Sequence, residues 1–262
     1  MQHVDVKIHG TVASIIFDRR TVRNALNPSL LDGLREALSD VHQERRVRSV
    51  VLMGAGDHFC SGVDLRSVQE IAALPGMDAL AGLHDYWRRL TELYEQMLRF
   101  PKPIVAAVDG VASGAGLGLV LACDLVVASS RSGFVADASR RGLVGGGTAA
   151  LLAFRLGGSV AARMLLTGRP LDADEAHRTG LLAEPPVPAE QVWVAACETG
   201  RACDAAPAEA IQATKRLLNE NIGEQLLIQL ASGAAGSATA CTTDAAMEGL
   251  QAFLEKRDPQ WP

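Results

Sequence analysis

The sequence is poor in aromatic residues and has no excess of positive charge. Phe, Trp and Tyr make up 4% of its 262 residues, and its formal net charge is -5 at pH 7. Proteins that bind nucleic acid usually carry a basic surface and aromatic side chains on which bases stack. We therefore expect no nucleic-acid partner, although a local cluster such as the arginines of FDRRTVRNAL, at 17–26, can meet a polyanionic ligand.

Paired cysteines and long apolar runs are also missing. The five cysteines are odd in number and form no C-x-x-C motif, so we expect reduced thiols rather than a disulfide framework or a zinc site. The first residues, MQHVDVKIHG, lack the pattern of a signal peptide, and each apolar run is shorter than the roughly 18 to 20 residues of a membrane span. These absences predict a cytoplasmic protein without a membrane-spanning helix.

Regular patterns of apolar residues predict strands and helices in the first hundred residues. Residues 4–18 alternate apolar and polar side chains about a His-Gly turn, which is typical of a β-hairpin. Asn27 can cap a helix that has Pro28 at its first position, and residues 78–99 show a second helical period. The apolar face of the first helix consists of Leu30, Leu31, Leu34, Leu38 and Val41.

An apolar strand followed by a glycine-rich turn and a helix recurs from residue 49 onward. This ββα rhythm predicts an α/β fold with a core over 1–185. Pro185 and Pro186 mark a bend, after which residues 186–262 are predicted to form a helical region. Residues 67–76 lack a clear period and are predicted to be irregular. The recurring segments are SVVLMGAGDHFCSG, PIVAAVDGVASGAG, and DLVVASS continuing into SGFVADAS.

Five sequence blocks stand in a fixed order along the chain. They are RNALN at 23–27, HFCSGVDL at 58–65, PKPIVAAVDGVASGAGLGLVLACDLVVAS at 101–129, TGRPLDADEAHRTGLL at 167–182 and AFLEKRDPQW at 252–261. In content, order and spacing they resemble the crotonase, or enoyl-CoA hydratase/isomerase, superfamily, and the resemblance covers nearly the whole chain. It implies a crotonase-type ββα superhelix core and a C-terminal helical region that forms a homotrimer or hexamer. The implied ligands are acyl-CoA thioesters, with coenzyme A as part of the substrate and no separate cofactor or metal.

The resemblance implies an oxyanion hole built from backbone groups. Acyl-CoA chemistry at Cα or Cβ places negative charge on the thioester oxygen, which two N–H groups aimed at that oxygen stabilise. By resemblance, the donors are Ser61 and Ala115, and Ala115 would begin a helix at 114–122 whose dipole adds to the attraction. Relatives more often have Ala and Gly there, but a backbone donor tolerates the exchange. The alternative is a pair of glycine-rich turns that bind nothing.

The two glutamates that serve as acid and base in hydratases of this superfamily are absent. The resemblance places them at Gly118 and Ala138, and neither residue can carry a proton. Asp137, next to the second position, is the candidate for a substitute acid or base, and local capping of backbone N–H groups is its alternative role. One carboxylate would suffice for a double-bond isomerase.

Other polar residues near these motifs are weaker candidates. His84, Asp85 and Tyr86 follow one another on a helix, so at most one of them can face a ligand, and we expect them at the surface. His58 and Cys60 flank the first turn, and Cys60 would be a nucleophile only beside a base. The loop RRGLVGGGTAALLAF is about two residues shorter than in relatives and lacks their proline. The identity of the substrate's acyl group therefore cannot be inferred from those relatives.

Coenzyme A carries phosphates, for which Arg and Lys are natural partners. The resemblance places two segments along the coenzyme A groove, and it brings two residues of the C-terminal helix to the nucleotide of a neighbouring subunit. Asp64 has a structural alternative as the cap of its turn. The implied coenzyme A residues are Arg23, Ala25, Leu26, Gly62, Asp64, Leu65, Phe253 and Lys256.

Two functions fit these observations. The first is an enzyme, a hydratase, isomerase or related lyase that combines the oxyanion hole with an unusual acid or base. The second is a module that binds acyl-CoA without turning it over. Gly118 and Ala138 separate the two, because they favour either binding alone or a reaction different from the usual hydration.

Overall fold

Strands and helices alternate through the first two thirds of the chain, and helices alone follow. The computed structural model describes residues 3–221 and 224–262. The strands of this part are β1 (Val4–His9), β2 (Val12–Phe17), β3 (Ser49–Gly54), β4 (Ile104–Val108), β5 (Val111–Ser113), β6 (Leu125–Ala128), β7 (Gly133–Val135) and β8 (Leu171–Asp172). The helices are α1 (Pro28–Gln43), α2 (Leu65–Ala72), α3 (Met77–Arg99), α4 (Ala115–Ala122), α5 (Gly146–Thr167), α6 (Ala173–Arg178), α7 (Val192–Ala202), α8 (Ala208–Arg216), α9 (Glu224–Ala240) and α10 (Asp244–Glu255).

Two sheets organise the α/β part. The larger has the strand order β1-β2-β3-β4-β6, in which β1 is antiparallel to β2 and the remaining neighbours are parallel. The smaller has the order β5-β7-β8, with β5 parallel to β7 and β8 antiparallel to it. Each parallel connection crosses over through a helix or a long turn, as parallel pairing requires. The α/β prediction from the recurring segments is confirmed.

The N-terminal elements follow the predicted pattern. β1 and β2 form the hairpin, with His9 paired to Val12 across the turn. The Asn27 side chain accepts a hydrogen bond from the Leu30 N–H at 2.9 Å, and Pro28 occupies the first helical position of α1. The leucines predicted for the apolar face of α1 are buried against the main sheet.

One prediction in this region is wrong, because residues 67–76 are not irregular throughout. Helix α2 runs from Leu65 to Ala72, and the Asp64 carboxylate caps it by accepting a hydrogen bond from the Arg66 N–H at 3.2 Å. A helix this short shows little periodicity. Val68 is nevertheless fully buried and anchors it in the core.

The C-terminal helices fold back onto the α/β part and share its core. Leu226, Leu230 and Leu250 belong to the same apolar cluster as the strands of the main sheet. Helix α9 packs against α3 and α5, while α10 packs against the short 3-10 turn at Ala138–Arg141. Residues on α10 therefore lie close to segments that are more than a hundred positions earlier in the sequence.

Helix α5 is the one described helix that is long and apolar enough to cross a membrane by length and composition. Its first half packs in the core, where Leu151 and Leu152 are fully buried, as core helices of water-soluble proteins do. Gly157 has a φ of 79° and interrupts the helical geometry. Packing against α4 and α9 thus explains why the first half of α5 is apolar.

Candidate active site

A cavity of about 820 Å³ opens where the predicted turns meet. All the predicted site residues except Leu26 and Gly118 line it, and those two lie buried behind its wall. The lining residues from the prediction are Arg23, Ala25, Ser61, Gly62, Asp64, Leu65, Ala115, Asp137, Ala138, Phe253 and Lys256. The fold thus brings residues from both ends of the chain around one volume.

The two glycine-rich turns are joined directly to each other. Cys60 and Ala112 form a parallel bridge, in which the Cys60 N–H donates to the Val111 carbonyl at 3.0 Å and the Ser113 N–H donates to the Cys60 carbonyl at 2.9 Å. Gly62 has a φ of 97°, and a Cβ there would lie 2.8 Å from the Ser113 oxygen and 3.4 Å from the Ala115 nitrogen. Glycine is therefore needed at 62 both for its conformation and for this close approach.

Of the two predicted oxyanion donors, one has a free N–H group and the other does not. In the described part of the chain the Ala115 N–H has no acceptor, and it lies at the start of α4 on the cavity wall. The Ser61 N–H instead donates to the Arg23 carbonyl at 2.9 Å. An N–H that is already bonded in this way is not free to meet a thioester oxygen, which corrects the prediction for Ser61.

Val63, two residues further on, has the free N–H group in the first turn. Leu26 bonds to the residues on either side of it, donating to the Gly62 carbonyl at 2.8 Å and accepting from the Asp64 N–H at 2.9 Å. In a parallel bridge of this kind the N–H of the middle residue points away from the partner strand. Val63 lines the cavity, and among the described residues nothing accepts its N–H. No feature of the sequence separated Val63 from Ser61, since the approach of Gly62 to Ala115 is seen only in the folded chain.

Gly118, the position of the first missing glutamate, faces the ring of Tyr94. A Cβ at 118 would lie 2.2 Å from the Tyr94 hydroxyl oxygen, a distance that no real Cβ contact reaches. The hydroxyl of Tyr94 therefore occupies the space into which a side chain at 118 would extend. Sequence reasoning missed Tyr94 as a site residue, although its place four residues after Leu90 puts it on the buried face of α3.

Asp137 and Ala138 lie on the opposite side of the cavity. The Asp137 carboxylate pairs with Arg141 at 3.0 Å, and the Arg141 guanidinium lies 4.8 Å from the centre of the Phe253 ring on α10. Although Asp137 immediately precedes the 3-10 turn, its side chain caps none of the backbone N–H groups of that turn. The capping role is thus not seen, and Asp137 is the predicted acid or base that lines the cavity.

The HDY triplet at 84–86 has one residue facing the protein interior, as helix geometry predicts, but the triplet does not lie wholly at the surface. Only Tyr86 points into the protein, where it is 1% exposed, while His84 is exposed and Asp85 pairs with Arg89 at 2.6 Å. The expectation that all three lie at the surface is therefore wrong for Tyr86. Its hydroxyl donates to the Leu26 carbonyl and accepts from the Asp64 N–H.

Neither His58 nor Cys60 forms a nucleophilic pair. The His58 Nδ1 accepts a hydrogen bond from the Val111 N–H at 3.3 Å, and the Cys60 thiol donates to the Asn24 carbonyl at 3.1 Å. Burial raises the pKa of the Cys60 thiol to about 12, so it stays protonated at neutral pH. Both residues fix the first turn in place.

The entrance of the cavity carries cations. Among the described residues, neither Arg23 nor Lys256 has an ion-pair partner, and both are exposed at the rim. The Asp64 carboxylate, in contrast, both caps α2 and accepts from Arg19 at 2.9 Å, which favours its structural role. Phe253 and Lys256 line the same cavity as Arg23 of their own chain, and a place at a neighbouring subunit's nucleotide stays a prediction. Within the described ranges no cluster of three or more His, Cys, Asp and Glu residues could hold a metal ion.

Comparison with known proteins identifies the family of this chain. The family model described as Enoyl-CoA hydratase/isomerase matches residues 7–262. A probable enoyl-CoA hydratase of Rhodobacter capsulatus is 36% identical over 97% of this chain and 96% of its own length, and a putative enoyl-CoA hydratase of Thermus thermophilus is 32% identical over 96% and 98%. The solved structure of an enoyl-CoA hydratase from Mycobacterium avium subsp. paratuberculosis superposes with a TM-score of 0.85, at 26% identity, over 99% of this chain and 98% of that one. The chain therefore belongs to the enoyl-CoA hydratase/isomerase family and has the crotonase fold.

Proposed function

We propose that this protein binds an acyl-CoA thioester in the cavity and stabilises the enolate of that thioester with the N–H groups of Val63 and Ala115. The observation that carries the proposal is that two backbone N–H groups without an acceptor among the described residues belong to residues lining one cavity, next to the close approach of Gly62 and Ala115. A donor of this kind contributes about 3 kcal/mol to stabilising a developing oxyanion. The unpaired cations Arg23 and Lys256 at the rim are suited to the phosphates of coenzyme A.

The acid and base are not those of a two-glutamate hydratase. Gly118 leaves no carboxylate at the first position, and Tyr94 fills its space. Asp137 is then the carboxylate available to the substrate, since it lines the cavity beside its partner Arg141. One base can remove a proton from a carbon of the acyl chain and return it to another carbon. We therefore propose double-bond isomerisation through the enolate in preference to hydration.

An acyl-CoA-binding protein without turnover is the second candidate function. The observation that favours it is the ion pair between Asp137 and Arg141, because the carboxylate that would have to contact the substrate is already bonded to a guanidinium. The backbone donors and the cationic rim serve binding and catalysis equally, so they do not distinguish the two candidates.

A panel of three thioesters tests both. Crotonyl-CoA, its double-bond isomer vinylacetyl-CoA and saturated butyryl-CoA are mixed with the protein, and binding heat and products are followed separately. We expect all three to bind and the two unsaturated thioesters to interconvert. Tight binding without any product would contradict the isomerase and support the binding protein, whereas no binding of any thioester would contradict the proposed function as a whole.

Asp137→Asn tests the base. We expect this change to lower turnover by roughly 10²- to 10⁴-fold, since that is the usual contribution of a general base, with little change in binding heat. Asp85→Asn is the matched control because Asp85 also pairs with an arginine four residues later, on α3 outside the cavity. Turnover that survives in Asp137→Asn at the level of this control would remove Asp137 from the mechanism.

We further propose that the chain assembles into a trimer or hexamer and works in the cytoplasm. The membership of the family supports the assembly, and the similarity to the bacterial relatives of Thermus thermophilus and Rhodobacter capsulatus supports the location. Mass measurement in solution at micromolar concentration tests the assembly, and a strictly monomeric species would contradict it.

A further inference from the structure

Both tyrosines of the chain lie on helix α3 and point into the protein. The sequence has two tyrosines in 262 residues, Tyr86 and Tyr94, and each is 1% exposed. They are eight residues apart, which corresponds to roughly 12 Å along the helix axis. Each phenol reaches one of the two turns that form the wall of the cavity.

Tyr94 holds the second turn. Its hydroxyl donates to the carbonyl oxygen of Ala115 at 2.8 Å, on the residue whose N–H faces the cavity. The ring packs directly against two glycines, because a Cβ at Gly118 would lie 2.2 Å from the hydroxyl oxygen and a Cβ at Gly147 would lie 3.3 Å from Cε2. The two glycines and the tyrosine therefore fit together as one packing unit.

Tyr86 holds the first turn. Its hydroxyl donates to the carbonyl of Leu26 and accepts from the N–H of Asp64 at 3.3 Å. Leu26 forms the bridge to Val63, and Asp64 is the next residue after Val63. The orientation of the free Val63 N–H is thus fixed from both sides by groups that Tyr86 contacts.

Both phenols are suited to this task because they remain neutral donors. Burial raises the pKa of Tyr86 and of Tyr94 far above the ordinary value for a phenol. A tyrosine ring has only two rotatable side-chain bonds, so little disorder remains once it is packed. One helix of 23 residues carries both contacts.

We propose that Tyr86 and Tyr94 are positioning residues that keep the N–H groups of Val63 and Ala115 aimed at one point. This rests on the proposed function, in which those two groups bind the thioester oxygen. Donors that are fixed before the charge develops stabilise it without a reorganisation cost, and a small misplacement removes much of that benefit. Each hydroxyl already donates to a carbonyl beside one of the two turns, so the tyrosines act through the turns.

The test compares Tyr86→Phe, Tyr94→Phe and the double variant with the unchanged protein. The probe is butyryl-CoA isotope-labelled at the thioester carbonyl, whose stretching frequency in difference infrared spectra falls as hydrogen bonds to its oxygen strengthen. We expect the frequency to fall on binding to the unchanged protein and to recover part of the way in each single variant and further in the double variant. For crotonyl-CoA we expect kcat to fall roughly fivefold per variant, the value of one net hydrogen bond, with KM changed less than about twofold.

Ser132→Ala is the control for the loss of a buried hydroxyl. The Ser132 hydroxyl donates to the Val108 carbonyl at 2.9 Å, it is buried, and the residue does not line the cavity. This variant should lower the thermal stability to a similar degree and leave the carbonyl frequency unchanged. An equal frequency change in Ser132→Ala, or an unchanged frequency in both Phe variants, would overturn the proposal. A wild-type complex that forms without any frequency shift would instead contradict the oxyanion hole, and with it the proposed function.

A second measurement needs no substitution that could impair folding. Because the chain has two tyrosines, growth with fluorotyrosine gives two fluorine signals that each report on one turn. Binding of butyryl-CoA should shift both signals, because the thioester oxygen accepts hydrogen bonds from N–H groups in the two turns that the phenols contact. Signals that both stay in place on binding would contradict the proposal.

Discussion

The two sides of the cavity present different chemical groups, backbone N–H groups on one and side chains on the other. On one side, the turns at 60–64 and 113–116 present backbone N–H groups, and we refer to them as the backbone side. On the other, Asp137, Ala138 and Arg141 with Phe253 present side chains, and these form the side-chain side. Hydrogen bonds between main-chain groups and buried tyrosines hold the backbone side, whereas an ion pair and a ring contact hold the other.

The difference explains why backbone donors tolerate changes of residue whereas catalytic side chains do not. A backbone donor is present with almost any residue, so Ser at 61, Val at 63 and Ala at 115 leave the turns usable. An acid or a base exists only if a particular side chain is present, and glycine at 118 or alanine at 138 removes it outright. In the proposed function, the binding of a thioester and the reaction of that thioester therefore depend on separable features of this chain.

The largest expected effect is on the backbone side. Gly118→Ala should lower the free energy of unfolding by about 2 to 3 kcal/mol, because its Cβ would lie 2.2 Å from the Tyr94 hydroxyl oxygen. Gly236→Ala is the matched control on helix α9, where no atom lies within 4 Å of the new Cβ, and it should raise stability by roughly 0.5 to 1 kcal/mol. Denaturant unfolding measures both. Equal effects at the two positions would show that Tyr94 does not fill the space at 118.

A smaller effect is expected on the side-chain side. Arg141→Met removes a partly exposed ion pair with Asp137 and the contact with the Phe253 ring, and should cost about 1 kcal/mol of unfolding free energy. The control is Arg88→Met, since Arg88 pairs with Asp85 and Glu92 on the exposed face of α3 without an aromatic partner. We expect that variant to stay within about 0.5 kcal/mol of the unchanged protein. If Arg141→Met changed the unfolding free energy as little as Arg88→Met, the contact with the Phe253 ring would not contribute to the packing of α10 beside the cavity.

The smallest effect is a pH dependence that belongs to the backbone side. Burial raises the pKa of the Cys60 thiol to about 12 in the folded chain, compared with its ordinary value of 9.0. The unfolded chain therefore loses this proton first, and stability falls as the pH rises through the unfolded pKa, by roughly 0.4 kcal/mol between pH 8 and pH 9. Unfolding of Cys60→Ala, measured at both pH values, should lack this part of the decline. The same slope in both proteins would contradict the burial of the thiol.

Much of the fold could be predicted from local patterns. The hairpin at 4–18, the cap at Asn27 and the buried strand at 49–54 depend on neighbours in the sequence, so alternation and capping residues reveal them. Helix α2 was missed because it is short and relies on a single buried valine. The association of α10 with the turn at 138–141 could not be predicted, since it joins segments far apart in the chain.

The site divided in the same way. The five blocks indicated which segments meet, and the cavity brings nearly all the predicted residues together. The choice between Ser61 and Val63 depended on which N–H group another part of the chain already uses, here the Arg23 carbonyl. Tyr94 was missed because a buried aromatic residue at helical spacing resembles any core residue until its neighbours are known.

By itself, the sequence determined the family, and it predicted the ligand class and the absence of both glutamates, because these depend on which residues are present and in what order. Tertiary structure decided which backbone N–H groups remain free, what fills the space at Gly118 and where Asp137 finds its partner. The physical reason is that hydrogen bonds and volume are shared between distant segments. A carbonyl at Arg23 engages the N–H of Ser61, and a phenol on α3 occupies the room beside α4. No local pattern contains that information.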